Sequence, residues 1–181
     1  MANKIKAFEY LVIKLSEWYK ELNNNISFEN NDLNKLKVLK LHFFVSAVNA
    51  NENKEGLLNI FDNFYAMPYG HVESDVYSQI SQLESMKIDR KGLAFTKCLD
   101  NNYFDDIKKI IPEIDQSIIN LRTINNDLIN YKALDLVNLS HRWYSWRLVF
   151  NYAKQNGSFS APIPTELIRR EPKIFHLELI N

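Results

Sequence analysis

The sequence predicts a mainly α fold, a compact single-domain helical bundle of about six to eight helices with at most a small β-hairpin. Three observations lead to this prediction. The chain has 181 residues, a length typical of one domain. Hydrophobic residues make up 46% of it and aromatic residues 13%, which is enough for a core that needs neither disulfide nor metal. Apolar residues also recur three and four positions apart in several segments, the spacing of a helix buried on one face.

Charge is balanced along the chain, with 22 basic and 22 acidic residues and a formal net charge of zero. Proteins that bind nucleic acid without sequence preference usually carry a broad basic surface. We therefore expect no nucleic-acid partner, and the neutral charge argues against a helical DNA-binding regulator.

Cys98 is the only cysteine, so an intrachain disulfide and a cysteine-rich zinc site are both excluded. No uninterrupted apolar run reaches the ~18 residues of a membrane span, and the run at residues 10–13 is too short for a signal peptide. We expect a cytoplasmic protein with no membrane partner, no metal and no cofactor.

The first predicted helix covers residues 5–22. Its apolar face is formed by Ile5, Phe8, Leu11, Val12, Leu15, Trp18, Tyr19 and Leu22. Charged residues, Glu9 among them, are expected on a solvated face. The pattern leaves open whether this helix packs on the chain's own core or on a partner.

A second predicted helix begins near Asp32, a good N-cap, and continues to Val48. Its broad apolar stripe indicates a central core element. Lys35, Lys37 and Lys40 are expected along its exposed side. A solvated face accounts for these lysines better than a phosphate-binding strip, because no glycine loop and no interleaved aromatic residues accompany them.

Residues 64–77, FYAMPYGHVESDVY, combine a turn with a high density of aromatic side chains. Pro68 fixes its backbone φ and Gly70 tolerates a positive φ, so together they favour a sharp change of direction. The apolar run at 57–65 that precedes the turn fits either a short helix or a strand.

A helix is predicted from Val72 onwards, with Glu73 and Asp75 in its first turn, where the helix dipole favours carboxylates. Further along, residues 90–98 (RKGLAFTKC) contain a glycine and partial alternation of apolar residues. This segment is the candidate for β structure, as one arm of a small hairpin.

Helical periodicity resumes at residues 105–131. Pro112 divides this region into a short helix and a longer one that has the proline near its first position. A further short helix ends at Ser140 and His141. A histidine at the C-terminal end of a helix can donate to a free carbonyl, so a structural role is the preferred interpretation of His141.

Two more helices complete the prediction. One covers residues 143–153 and ends before Gly157. The other covers residues 165–170 and is stopped by Pro172. Trp143, Tyr144 and Trp146 cannot all face inward on one helix, so at least one of them is expected at the surface, where such residues anchor interfaces.

Two arrangements of residues suggest chemistry. His71 and Glu73 have the H-x-E spacing of zinc deaminases, but that chemistry also needs a P-C-x-x-C motif, which a single cysteine cannot supply. Cys98 with His141 would form a cysteine–histidine dyad, although a lone cysteine is more often a small buried apolar residue. Neither arrangement is the preferred interpretation.

Three segments together resemble the Panacea domain, the SocA-like antitoxin domain of bacteria and their phages. Residues 35–48 (KLKVLKLHFFVSAV) resemble its early lysine- and leucine-rich helix. Residues 64–77 resemble its aromatic–alanine pattern, Tyr-Gly-Pro-Val turn and acidic helix start. Residues 136–146 (LVNLSHRWYSW) resemble its leucine-rich helix ending in Ser/Thr-His before a tryptophan. The resemblance covers residues 33–170 and leaves 1–30 as an N-terminal helical extension within a single domain spanning 1–181.

The chain departs from the family pattern at two places. His71 stands where the family usually has proline, and Arg142 with its two neighbours follows His141 where many members carry acidic or small residues. If either place contacts a partner, specificity here would differ from that of a typical member.

The resemblance implies a non-catalytic binding protein that neutralises a toxin encoded by an adjacent gene through direct contact, or delivers the toxin to a protease as an adaptor. A homo-oligomer is compatible with this function. The expected partner-binding residues are Tyr69, His71, Glu73, Asp75, His141, Trp143, Tyr144 and Trp146. Two alternatives stay open: a phage-encoded protein that interferes with host defence, and a small metal-independent hydrolase that uses His71, Glu73 and His141.

Overall fold

The computed structural model describes residues 2–24, 27–100 and 102–177. These residues contain seven α-helices: α1 (Ala2–Leu22), α2 (Lys35–Ala47), α3 (Ser74–Gln79), α4 (Ile111–Ile124), α5 (Ala133–His141), α6 (Tyr144–Gln155) and α7 (Thr165–Arg170). They also contain five short strands: β1 (Phe64–Met67), β2 (Gly70–Glu73), β3 (Met86–Ile88), β4 (Leu93–Phe95) and β5 (Ala161–Pro162). The mainly α prediction is confirmed.

The β structure exceeds the single hairpin that was predicted. One antiparallel sheet has the strand order β2-β1-β5, and β3 pairs with β4 in a second, two-stranded sheet. The segment at residues 90–98, predicted as one arm of a hairpin, contains β4, and the other arm is β3. The three-stranded sheet was missed because its strands have two to four residues, too few to show a clear period of two.

The β1–β2 hairpin replaces the helix start predicted at Val72. Val72 pairs with Tyr65 across the hairpin, and the helix begins two residues later, at Ser74. Glu73 caps that helix by accepting a hydrogen bond from the backbone N–H of Val76 at 2.7 Å. The prediction that a carboxylate favours this helix start is therefore right, but Glu73 acts from the N-cap position.

Helix α1 belongs to the core of this chain. The six apolar residues Ala7, Phe8, Leu11, Val12, Leu15 and Trp18 are fully buried, and they pack with α2 and α4 in one continuous hydrophobic cluster. The described part of the expected N-terminal extension is thus an integral element. Glu9 is not solvated as expected: it is buried and accepts hydrogen bonds from Ser85 and Tyr103.

Helix α2 is the central element, and every residue from Lys37 to Ala47 is buried. The prediction that Lys37 and Lys40 lie on an exposed side is wrong, because α1, α4, α5 and the β1–β2 hairpin surround the helix. Lys37 reaches Asp32 with its Nζ atom at 2.6 Å. Asp32 is therefore an ion-pair partner, and Asn34 is the N-cap.

Three other helix boundaries agree with the sequence prediction, whereas the region predicted as helical up to residue 131 leaves α4 at Ile124 and continues as a short 3-10 turn, Asn126–Asn130. Pro112 lies in the first turn of α4, α5 ends at His141, and Gly157 follows α6 with a positive φ of 72°. In the part of the chain that the structure describes, no helix combines the length and apolarity needed to cross a membrane.

Candidate functional site

The three segments that carry the family resemblance meet in the interior. Phe43 of α2 stacks on His71 of β2, with ring centroids 3.7 Å apart and planes 6° from parallel. The same phenylalanine contacts Trp143, just before α6, edge-to-face at 4.8 Å. We call Phe43, His71 and Trp143 the aromatic junction. The residues around it hold the turn between β1 and β2 in place.

Side chains from α5 and α6 bind the β1–β2 turn. The Trp146 indole N–H donates to the carbonyl of Met67 at 2.9 Å, and His141 hydrogen bonds to the carbonyl of Pro68. His141 Nε2 is buried and has no partner among the described residues. The two rings stack at 3.7 Å, so adjacent carbonyls of the turn are bound by one pair of stacked rings.

Gly70 allows the turn to approach α5 closely. Its φ of 96° is in the left-handed region, and a Cβ atom at this position would lie 2.4 Å from the Ser140 hydroxyl oxygen. Both observations require glycine here.

His71 is fully buried between two serines. Its Nδ1 lies 2.8 Å from the Ser140 hydroxyl and its Nε2 lies 2.8 Å from the Ser145 hydroxyl. Burial, aided by the nearby Lys40, lowers the pKa of His71 well below its usual value, so the ring is neutral and one nitrogen accepts while the other donates.

Glu171 caps α6 from the far end of the chain. Trp143, the N-cap residue, makes no side-chain cap, and Glu171 Oε2 accepts from the backbone N–H of Ser145 at 3.1 Å instead. Burial raises the pKa of Glu171, and its contacts with Ser145 oppose that rise. A carboxylate is stabilised at this end of a helix by the dipole, so the tail after α7 fixes the start of α6.

Lys40 is fully buried beneath the turn. Its ammonium group donates to the backbone carbonyl of His71, and it forms no ion pair with a carboxylate of the described residues. Burial lowers the pKa of Lys40 to about 7. Burial is the main cause of the lowered pKa values of His71 and His141, and the nearby Lys40 lowers both further.

His42 is a second buried titratable group in α2. It contacts the rings of Phe8, Phe61 and Phe64, and neither ring nitrogen has a hydrogen-bond partner in the described structure. Burial lowers its pKa to about 3, so the ring is neutral at physiological pH.

A separate acidic cluster joins α1 to the hairpin. Single oxygens of Asp62, Glu73 and Asp75 lie within 4.8 Å of one another, an arrangement that could hold a metal ion. The ammonium of Lys4 lies 2.7, 2.8 and 2.6 Å from these carboxylates. Lys4 thus supplies the positive charge that the cluster requires, and the contacts raise its pKa despite partial burial.

The structure divides the eight predicted partner-binding residues into three groups. His71, Glu73 and Trp143 are fully buried, so the prediction that they face a partner is wrong. Their side chains engage Ser140, Lys4 and the carbonyl of Ile174, respectively.

The other five predicted residues reach the surface to different extents. Tyr69 and Tyr144 are exposed, by 60% and 51%, whereas Asp75, His141 and Trp146 are partly buried. The prediction that at least one aromatic residue among 143, 144 and 146 is exposed is confirmed by Tyr144.

Among the described residues, the side chains named for the catalytic alternatives do not come together in one site. His71, Glu73 and His141 form no hydrogen bonds with one another, and the first two are enclosed by protein. Cys98 is exposed on the surface, contrary to the expectation for a lone cysteine.

Sequence reasoning missed Ser145, Glu171 and Lys4 entirely, and it placed Lys40 at the surface. No local pattern marks Glu171 or Lys4, because their partners are distant in sequence. Ser145 lies two residues after Trp143 in an aromatic segment. Its position in the first turn of α6 was the only sequence signal for a structural role. Comparison of the chain with protein-family models, with curated proteins and with solved structures found no match in any of the three.

Proposed function

We propose that this protein is an antitoxin-like binding protein that neutralises a cognate protein toxin by direct contact. The observation that supports it is the aromatic junction of Phe43, His71 and Trp143, in which all three segments of the family resemblance pack together. The three segments thereby build one element, the β1–β2 turn on α5 and α6, although His71 and Trp143 stand where the chain departs from the family pattern.

The surface of this element suits a protein partner. Tyr69 is exposed at the tip of the turn and Tyr144 at the start of α6, and tyrosine is among the residues that most often anchor interfaces. The buried residues His71 and Ser140 act on this surface indirectly, since they position the turn that carries Tyr69. Preformed anchors lose little conformational entropy on binding.

Co-expression with the product of the adjacent reading frame tests the proposal. The neighbour alone is expected to arrest growth, and this protein is expected to restore growth and to co-purify with the neighbour. A neighbour that is harmless alone and never co-purifies contradicts the proposal.

The lifetime of the neighbour's product separates two modes of neutralisation. If this protein blocks the toxin, the toxin accumulates as a stable complex. If it acts as an adaptor, the toxin half-life shortens when this protein is present and recovers in a host that lacks the relevant protease. A host-defence component that co-purifies in place of the neighbour would favour the phage role.

A further inference from the structure

Helix α6 presents an apolar stripe to the outside. Tyr144, Leu148 and Tyr152 are four residues apart and therefore lie on one side of the helix, with exposures of 51%, 43% and 64%. On the opposite side Val149 and Ala153 pack into the protein. Scattered apolar side chains on a surface are common, but a contiguous group is typical of an interaction site.

A basic row runs beside this stripe. Arg147 and Lys154 are two helical turns apart, and α6 contains no acidic residue. Neither forms an ion pair with a described carboxylate, whereas Lys14, Arg122 and Arg169 on other helices all do. The unpaired cations give the face of α6 a positive charge within a protein of zero net charge.

The helix that carries both rows is firmly held. Glu171 caps its first turn, and Trp146 binds the β1–β2 turn through Met67. His141, Trp146 and Phe150 form a continuous ring stack, with centroid distances of 3.7 and 4.8 Å. The face is therefore preformed and does not need ordering by a partner.

We infer that this face of α6 binds an acidic, amphipathic segment of the protein partner. The apolar stripe extends for about 12 Å along the axis, and the two cations are about 10 Å apart. A complementary segment places apolar residues on Tyr144, Leu148 and Tyr152 and carboxylates opposite Arg147 and Lys154. Two cations in a neutral protein are too few for the phosphate backbone of a nucleic acid, so the charge favours a protein segment.

This inference rests on the proposed function, because the partner is the toxin that the protein neutralises. The probe is the purified product of the adjacent reading frame, and its affinity for the full-length protein is measured by calorimetry at two salt concentrations. Two double variants remove the two rows separately: Tyr144→Ala with Tyr152→Ala, and Arg147→Glu with Lys154→Glu.

Matched controls change the same chemistry elsewhere on the surface. Lys91→Glu with Lys109→Glu reverses two exposed cations that form no described ion pair, and Ile119→Ala with Leu134→Ala truncates two exposed apolar side chains. Circular dichroism confirms that each variant retains its helical content.

The tyrosine variant is expected to bind at least about tenfold more weakly. The charge-reversal variant should show a loss of at least the same size, and added salt should no longer weaken its binding because the attraction to the partner's carboxylates has become repulsion. Both controls should bind like the wild type. If the wild type binds and both α6 variants bind equally well, the inference fails and the proposed function stands.

Other outcomes reject the inference in different ways. If the wild type does not bind the neighbour at all, both proposals fail together. If the α6 variants lose only self-association in sedimentation experiments, the face is an interface between copies of this chain. If they lose only the binding of a labelled single-stranded oligonucleotide, the face recognises nucleic acid.

Discussion

The Ser140 hydroxyl lies 2.8 Å from His71 Nδ1 and accepts a hydrogen bond from the His71 backbone N–H at 3.1 Å. One side chain of α5 thus fixes both the ring and the backbone of a residue in β2. Since the turn between β1 and β2 carries Tyr69, this contact connects the buried core to the candidate interaction surface.

Removing the Ser140 hydroxyl should destabilise the protein. In Ser140→Ala, the buried His71 ring and N–H lose their partner, and we expect the free energy of unfolding to fall by about 1–3 kcal/mol. Urea denaturation measures the change. Ser78→Ala, which removes an exposed hydroxyl bound to the Asp75 carbonyl, should change stability by less than about 0.5 kcal/mol. Equal losses in the two variants would contradict the role given to Ser140.

Gly70 and Gly157 form a matched pair for testing the close approach of the turn to α5. Both have a positive φ, but a Cβ at Gly70 would clash with Ser140, whereas a Cβ at Gly157 would meet nothing within 4 Å. In Gly157→Ala the free energy of unfolding should therefore fall by about 1–2 kcal/mol, the cost of a left-handed backbone at alanine. In Gly70→Ala it should fall clearly further, because the added Cβ also clashes with Ser140. Thermal unfolding of the two variants provides the comparison, and similar melting temperatures would show that the turn can move away from Ser140.

Replacing His42 with leucine should stabilise the protein. The buried ring has two unpaired nitrogens, and an apolar side chain of similar size removes that penalty, for a gain of about 1 kcal/mol at pH 7. The pKa of about 3 in the folded state lies below the usual 6.5. Between these values the unfolded chain binds more protons, so His42 weakens the fold as the pH falls below 6.5, by at most about 1.4 kcal/mol per pH unit.

The advantage of His42→Leu over the wild type should therefore increase from pH 7 to pH 4. Chemical denaturation at several pH values tests this, with the exposed His176→Leu as the control. An advantage that does not depend on pH would show that His42 gains protons in the folded state as readily as in the unfolded one.

Lys40 should give the protein a stability that rises in mildly alkaline solution. Its pKa is about 7 in the fold, below the usual 10.5. Between those values the unfolded chain binds the extra proton, so folding is favoured increasingly as the pH rises, by at most about 1.4 kcal/mol per pH unit. Lys40→Met has no titrating group at this position, so its stability lacks this pH dependence. The wild type should therefore gain stability relative to the variant between pH 7 and pH 10. The exposed Lys109→Met should track the wild type throughout.

Lys4 should be the most sensitive position of α1 to charge removal. Lys4→Met leaves Asp62, Glu73 and Asp75 without their shared cation, and Glu73 is fully buried, so a loss of about 3 kcal/mol is expected. Lys6 contacts one exposed carboxylate, that of Asp106, and Lys6→Met should have a far smaller effect because water screens such a pair. Melting temperatures of the two variants, compared at low and high salt, test this prediction. Equal losses in the two variants would contradict it.

The sequence alone determined the helical class, the main helix boundaries and the turn at Pro68–Gly70. These features depend on local physical chemistry: the 3.6-residue period of apolar side chains in α1 and α4, the position of Pro112, and the backbone freedom of Gly157. It also predicted that at least one of Trp143, Tyr144 and Trp146 is exposed, because three aromatic side chains so close together cannot all face inward on one helix.

Only the tertiary structure decided which polar residues are buried. Lys37 and Lys40 were expected in water because an amphipathic helix normally has one exposed side, but α2 is surrounded on all sides. His71, Glu73 and Trp143 were expected at the surface, and each instead binds a residue far away in the sequence. Contacts such as those of Lys4 with Glu73 and of Glu171 with Ser145 depend on how the elements pack, and no local pattern specifies a partner that the chain reaches only after folding.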